Sequence, residues 1–83
     1  MSKITIRYFA AAAAAAGTEE ESWVRPETLA ELRTQLSQTY GPQMAQVLRA
    51  GSFLINGVVR RDAGALGSDD ELTVDVLPPF AGG

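Results

Sequence analysis

The sequence predicts an α+β fold: a mixed sheet of four to five strands crossed by one main helix, with a flexible C-terminal tail. Three observations carry this. Period-two hydrophobicity opens and closes the chain, at Lys3 to Phe9 and at Leu72 to Val76. A stripe of leucines behind a helix cap lies between them. An Asn-Gly dipeptide interrupts a β-branched run, which is the signature of a tight hairpin.

In the first strand Ile4, Ile6 and Tyr8 share one face, and Thr5, Arg7 and Phe9 share the other. Seven alanines follow, Ala10 to Ala16. Alanine has the best helix propensity and Gly17 is a suitable stop, so a short helical turn is predicted. Glu19 to Val24 forms a second strand, with Glu19-Glu20-Glu21 as its solvated acidic start. Thr28-Leu29-Ala30-Glu31 matches a capping box, in which hydroxyl and carboxylate satisfy backbone donors reciprocally. Leu29, Leu32, Leu36 and Tyr40 then fall on one helical face, until Gly41-Pro42 ends the helix. Gln43 to Arg49 makes a shorter helix with Met44, Val47 and Leu48 inward, closed by Gly51.

Phe53 to Val59 is a hairpin turning at Asn56-Gly57. A polar turn anchored by Leu66 leads to a last strand with Leu72, Val74 and Val76 on one face. The economical packing lays the leucine stripe on a sheet face made of Ile4, Ile6, Tyr8, Ile55, Leu72, Val74 and Val76, with Trp23 and Tyr40 in the core. This order is that of the β-grasp, or ubiquitin-like, fold, which places the first and last strands side by side at the centre.

Composition bounds the function. Eighty-three residues, 46% of them hydrophobic, make one folded domain spanning residues 1–77, with residues 78–83 as a functional tail. A net charge of −3 argues against nucleic acid or an anionic membrane as partner. No apolar run is long enough for a membrane span and no signal-peptide pattern opens the chain, so a cytoplasmic protein is expected. The chain has no Cys and no His, and Lys3 is its sole lysine. Thiol chemistry, zinc ligand sets, His-based triads and a phosphate-binding Gly-Lys loop are thereby excluded. Asp69-Asp70-Glu71 lacks calcium-loop spacing, and Arg60-Arg61 reads as a solvated hairpin end.

The most informative segment is Leu77-Pro78-Pro79-Phe80-Ala81-Gly82-Gly83. Pro78 and Pro79 cannot extend the sheet ladder and give a stiff, extended stem. Phe80 offers an apolar anchor, and Gly82-Gly83 present a carboxylate free of side-chain bulk. Adenylation would convert that carboxylate into an acyl-adenylate open to attack by a sulfur donor or thiol. ATP and Mg belong to the activating partner, and no cofactor is expected on this chain.

Tyr8-Phe9-Ala10, the Leu29-x-x-Leu32 helix, Ile55-Asn56-Gly57 and the Leu77 to Gly83 segment together resemble the MoaD/ThiS sulfur-carrier family, over nearly the whole chain. Within that family the likeness is greatest to the branch serving as the small subunit of molybdopterin synthase. The resemblance implies that Gly83 is adenylated by an E1-like adenylyltransferase, becomes a thiocarboxylate with sulfur from a donor protein, and supplies the sulfur of the molybdopterin dithiolene. It also implies that the tail enters a large catalytic subunit, within a heterotetramer. Carried over by residue, Gly83 is the carrier, Gly82 the slim penultimate position, and Pro78, Pro79, Phe80 and Ala81 the inserted stem. Leu77 and Phe9 belong to the apolar docking surface. Where Arg and Glu commonly follow the Phe-Ala pair in the family, this chain carries only alanines. Two alternatives share the terminus: a sulfur carrier for thiazole or cysteine biosynthesis, and a ubiquitin-like modifier.

Overall fold

The computed structural model describes residues 3–60, 63–66 and 71–78. Strand β1 (Lys3–Tyr8) leads through helix α1 (Ala11–Ala16) to β2 (Glu20–Val24). Helices α2 (Leu29–Tyr40) and α3 (Pro42–Ala50) follow, then β3 (Ser52–Ile55), β4 (Val58–Arg60) and β5 (Leu72–Leu77). The strands form one five-stranded sheet in the order β2-β1-β5-β3-β4. β1 and β5 are parallel neighbours at its centre, with Ile4 opposite Leu72 and Tyr8 opposite Val76. The remaining pairings are antiparallel. The mixed sheet and crossing helix are those of the β-grasp.

One sheet face carries the core. Ile4, Ile6, Tyr8, Phe53, Ile55, Leu72, Val74 and Val76 are buried there against Leu29, Leu32 and Leu36 of α2 and Met44, Val47 and Leu48 of α3. Each fully buried aliphatic side chain contributes about 1.5–3 kcal/mol. Trp23 and Tyr40 are half-buried and packed on the margin of this core, not inside it as the sequence suggested.

Local chemistry sets the element ends. Gly17 closes α1 in the left-handed conformation, its N–H donating to the Ala13 carbonyl at 2.9 Å. Gly41 ends α2 and starts α3, with Pro42 at the first helical position, where a missing N–H costs nothing. Asn56 and Gly57 both have positive φ, 50° and 87°, as a type I′ turn requires. Asn56 also ties the hairpin to β5: its Oδ1 accepts from the Thr73 N–H at 2.8 Å.

The capping box forms only in part. Thr28 Oγ1 accepts from the Glu31 N–H at 3.1 Å, but the Glu31 carboxylate accepts from the N–H of Glu27 at 3.0 Å, one residue before the cap. Backbone bonds flank Thr28 on both sides. The Leu29 N–H donates to Gly64, and the Leu66 N–H donates to Glu27, bridging Thr28 to Ala65. Leu66 is buried as expected. Arg60 also departs from the sequence reading, since its guanidinium donates to the Ala65 carbonyl at 2.6 Å. Expectations for Arg61, Asp62, Gly67, Asp69, Asp70 and Pro79 to Gly83 fall outside the described residues.

Candidate functional site at the root of the tail

Alternation along the central strands leaves a second sheet face uncovered by helices. β1 contributes Thr5 and Arg7 to it, β5 contributes Thr73, Asp75 and Leu77, and β3 contributes Leu54. In register, Glu20, Arg7, Asp75, Leu54 and Val59 form one row across all five strands.

The centre of this row is an ion pair. Arg7 Nε donates to Asp75 Oδ1 at 2.7 Å, and a terminal guanidinium nitrogen donates to Oδ2 at 2.8 Å. Asp75 is only 7% exposed, so the fork satisfies a carboxylate that would otherwise be buried without a partner. The hydrogen bond to Asp75, and then its charge, raise the Arg7 pKa above its ordinary value. The same guanidinium lies 5.8 Å from the centroid of the Phe9 ring, within cation–π range.

Phe9 and Leu77 are brought to the same edge. Phe9 follows the Tyr8–Val76 pair, and its N–H donates to the Val76 carbonyl at 3.2 Å. Its side chain is 40% exposed. Leu77, opposite Ser52, and Pro78 beyond it are both half-buried. Pro79, Phe80, Ala81, Gly82 and Gly83 lie outside the described residues. A shallow groove beside Phe9 is lined by Ala10, Ala13, Glu19 and Glu20, which adds an acidic rim to the apolar edge. Val58 and Val59 on the edge strand β4 are 63% and 59% exposed. Among the described residues no group of three or more acidic, His or Cys side chains could hold a metal ion, and no helix is long and apolar enough to cross a membrane.

Three residues at this root escaped the sequence reading. Arg7 and Asp75 sit among apolar neighbours on strands 68 positions apart, and only the parallel β1–β5 register shows that they meet. The available signal was an opposite charge on the outward face of each central strand. Gly51 read as a helix stop, but it packs against the backbone of Leu77.

A second polar cluster lies at the same end of β1, on the core face. The Tyr8 phenol donates to Glu21 Oε1 at 2.5 Å, and the Tyr40 phenol donates to the same oxygen. The two rings meet edge to face, 6.0 Å between centroids. Burial first, and then the bond to Glu21, raise both phenol pKa values above the ordinary range. One half-buried carboxylate thereby ties the end of β1 and the end of α2 to β2.

Comparison with known proteins bears on this architecture. No curated protein sequence matches the chain. Among solved structures, the small archaeal modifier protein 1 of Methanosarcina acetivorans is similar at 24% identity and TM-score 0.79, over 100% of this chain and 98% of that one. The Haloferax volcanii HVO 2177 protein is similar at 26% identity and TM-score 0.79, over 99% and 87%. A candidate molybdopterin converting factor, subunit 1, from Pyrococcus furiosus is similar at 22% identity and TM-score 0.71, over 96% and 100%. These likenesses establish the β-grasp fold. The model of the ThiS family matches residues 6–83, nearly the whole sequence and including the terminal glycines. The chain belongs to the ThiS family of sulfur carriers.

Proposed function

We propose that this protein is a sulfur carrier that works through its C-terminal carboxylate, as the small subunit of molybdopterin synthase. The supporting observation is the course of β5. A strand held on both sides at the centre of the sheet runs out through Leu77 and Pro78 toward Pro79-Phe80-Ala81-Gly82-Gly83, and the family match continues to residue 83. In this reading residues 1–77 are a rigid handle, and residues 78–83 are the part inserted into partner enzymes. Six residues in an extended stem reach about 19 Å.

The chemistry then follows from the terminus. A Gly83 carboxylate oxygen attacks the α-phosphorus of ATP in an E1-like adenylyltransferase, and pyrophosphate leaves. The terminal sulfur of a donor protein's persulfide adds to the acyl carbon and AMP departs, giving an acyl disulfide. A partner thiolate then attacks the donor's sulfur, forming a disulfide with it and releasing the Gly83 thiocarboxylate. That sulfur is next delivered, within the large subunit of the synthase, to the carbon skeleton that becomes the dithiolene. Phe9 and Leu77, beside the Arg7–Asp75 pair, provide the surface against which both partners seat. The location that suits such partners is the cytoplasm.

The test is intact-mass analysis of the protein incubated with the adenylyltransferase of its source organism, ATP and a sulfur donor. The expected result is exchange of one oxygen for sulfur at the terminus, abolished by deletion of Gly83. No exchange in the wild-type protein would refute the carrier reading. Covalent adducts on lysines of other proteins would instead favour the modifier. Transfer of the sulfur to a thiazole or cysteine precursor, and not to a pterin, would move the protein to another branch of sulfur metabolism.

A further inference from the structure

Gly17, Gly41, Gly51 and Gly57 differ in what they require. Gly17, Gly41 and Gly57 have φ of 75°, 85° and 87°, and a Cβ added to any of them would meet nothing within 4 Å. Their demand is on backbone conformation. Gly51 is the reverse case. Its φ of −94° suits any residue, yet a Cβ there would stand 1.9 Å from the Leu77 carbonyl oxygen, 3.0 Å from the Leu77 carbonyl carbon and 2.9 Å from the Val47 carbonyl oxygen. All three are backbone atoms, so none can swing aside as a side-chain tip could. The demand at Gly51 is for space, and the group occupying that space is the last carbonyl of β5.

We propose that Gly51 is a positioning residue: by admitting the Leu77 carbonyl against the end of α3, it fixes the direction in which the tail leaves the sheet. The peptide unit is planar, so seating the Leu77 carbonyl also orients the Leu77–Pro78 bond. The proline ring then fixes φ at Pro78 and confines Leu77 to extended backbone. A second proline at position 79 restricts Pro78 in the same manner. Little torsional freedom remains between the seat at Gly51 and Pro78, so the seat sets the direction of the chain at the root of the tail. The seat is itself anchored, because the Gly51 N–H donates to the Val47 carbonyl at 2.8 Å and Ser52 pairs with Leu77. Displacements of about 1 Å at a reacting centre can cost roughly a hundredfold in rate.

The inference rests on the reading of the tail as the delivered group, and its test separates the two. ATP–pyrophosphate exchange is measured with the source organism's adenylyltransferase, using the full-length chain as the varied substrate. Gly51→Ala is expected to lower kcat roughly tenfold or more, with KM changed by less than about threefold because Phe9 and the outward face of β1 are untouched. Gly17→Ala, which strains a glycine on α1 instead, is expected to lower the melting temperature and leave kcat unchanged. Wild-type kcat in a folded Gly51→Ala protein, or an equal loss in both variants, would overturn the assignment.

A second measurement needs neither activity nor a folded variant. Residual dipolar couplings of the Pro78 Cα–Hα bond in the wild-type protein should fit the alignment of the sheet. Couplings averaged toward zero would overturn the proposal, whatever the exchange assay shows. If no wild-type exchange is found with the adenylyltransferase, the carrier reading fails, and couplings averaged toward zero would still overturn the seating at Gly51 on their own.

Discussion

Replacing Glu21 with alanine tests how one carboxylate holds the margin of the fold. An 83-residue domain has about 4–12 kcal/mol of total stability at typical values per residue. Glu21 Oε1 accepts from both Tyr8 and Tyr40. Hydrogen bonds to a charged acceptor contribute about 1.5–3 kcal/mol each, and the low end applies here because Glu21 is half-buried. Tyr8 is 2% exposed, so its phenol loses its acceptor with little access to water. Glu21→Ala is therefore expected to cost about 3 kcal/mol. Tyr40→Phe should cost about 1 kcal/mol, since the carboxylate keeps Tyr8 and the ring contact survives. Urea unfolding followed by the fluorescence of Trp23, the sole tryptophan, measures both. A loss below about 1 kcal/mol in Glu21→Ala would refute the assignment of the cluster as a structural tie.

The same cluster sets an alkaline limit. Both phenol pKa values are raised in the folded protein, by burial and then by Glu21, whereas unfolded tyrosine ionises near about 10. Above that pH the unfolded chain releases protons that the folded chain retains. The contribution is thus complete below about pH 10 and declines as pH rises beyond it. Tyrosinate absorbance should accordingly appear together with unfolding, and Glu21→Ala should bring the Tyr40 titration back toward the ordinary range.

Two further outcomes concern the root of the tail. A double-mutant cycle with Arg7→Met and Asp75→Asn should give a small favourable coupling that weakens as salt is added, because the geometry is bidentate and Asp75 is buried while Arg7 is exposed. Urea denaturation of the four proteins checks it. Phe9→Ala should change stability by less than about 0.5 kcal/mol, the ring being substantially exposed, while weakening binding to the adenylyltransferase about tenfold in a calorimetric titration.

Much of this architecture is legible in the sequence because local rules and burial agree. The alternation of Ile4, Ile6 and Tyr8, the Leu29/Leu32/Leu36 stripe and the Asn56-Gly57 turn each specify an element and the face that it buries. Interactions between distant segments are not legible in that way. The bridge from Thr28 to Ala65 joins segments far apart in the chain. The Arg7–Asp75 fork depends on strand register. Glu21 reads as one of three solvated acids until the fold brings two tyrosines to it. Gly51 carries an ordinary helix-ending signal, and nothing in its neighbours in sequence reveals that Leu77 needs its missing side chain. At the candidate site, the tail stood out by its own residues and Phe9 through the family resemblance, whereas the polar and steric supports beneath them arise from tertiary packing.

The parallel pairing of β1 with β5 has a mechanical consequence. The two strands point the same way, so the chain enters at one end of the pair and leaves at the other. A pull on residue 78, resisted at the start of β1, loads the hydrogen bonds between them sideways and together, where a hairpin would peel one bond at a time. β3 clamps the other flank of β5 through four residue pairs. Resistance to such a pull is governed by the unfolding barrier and not by equilibrium stability. A load applied at residue 78 is thus met by the β1–β5 seam acting as a whole.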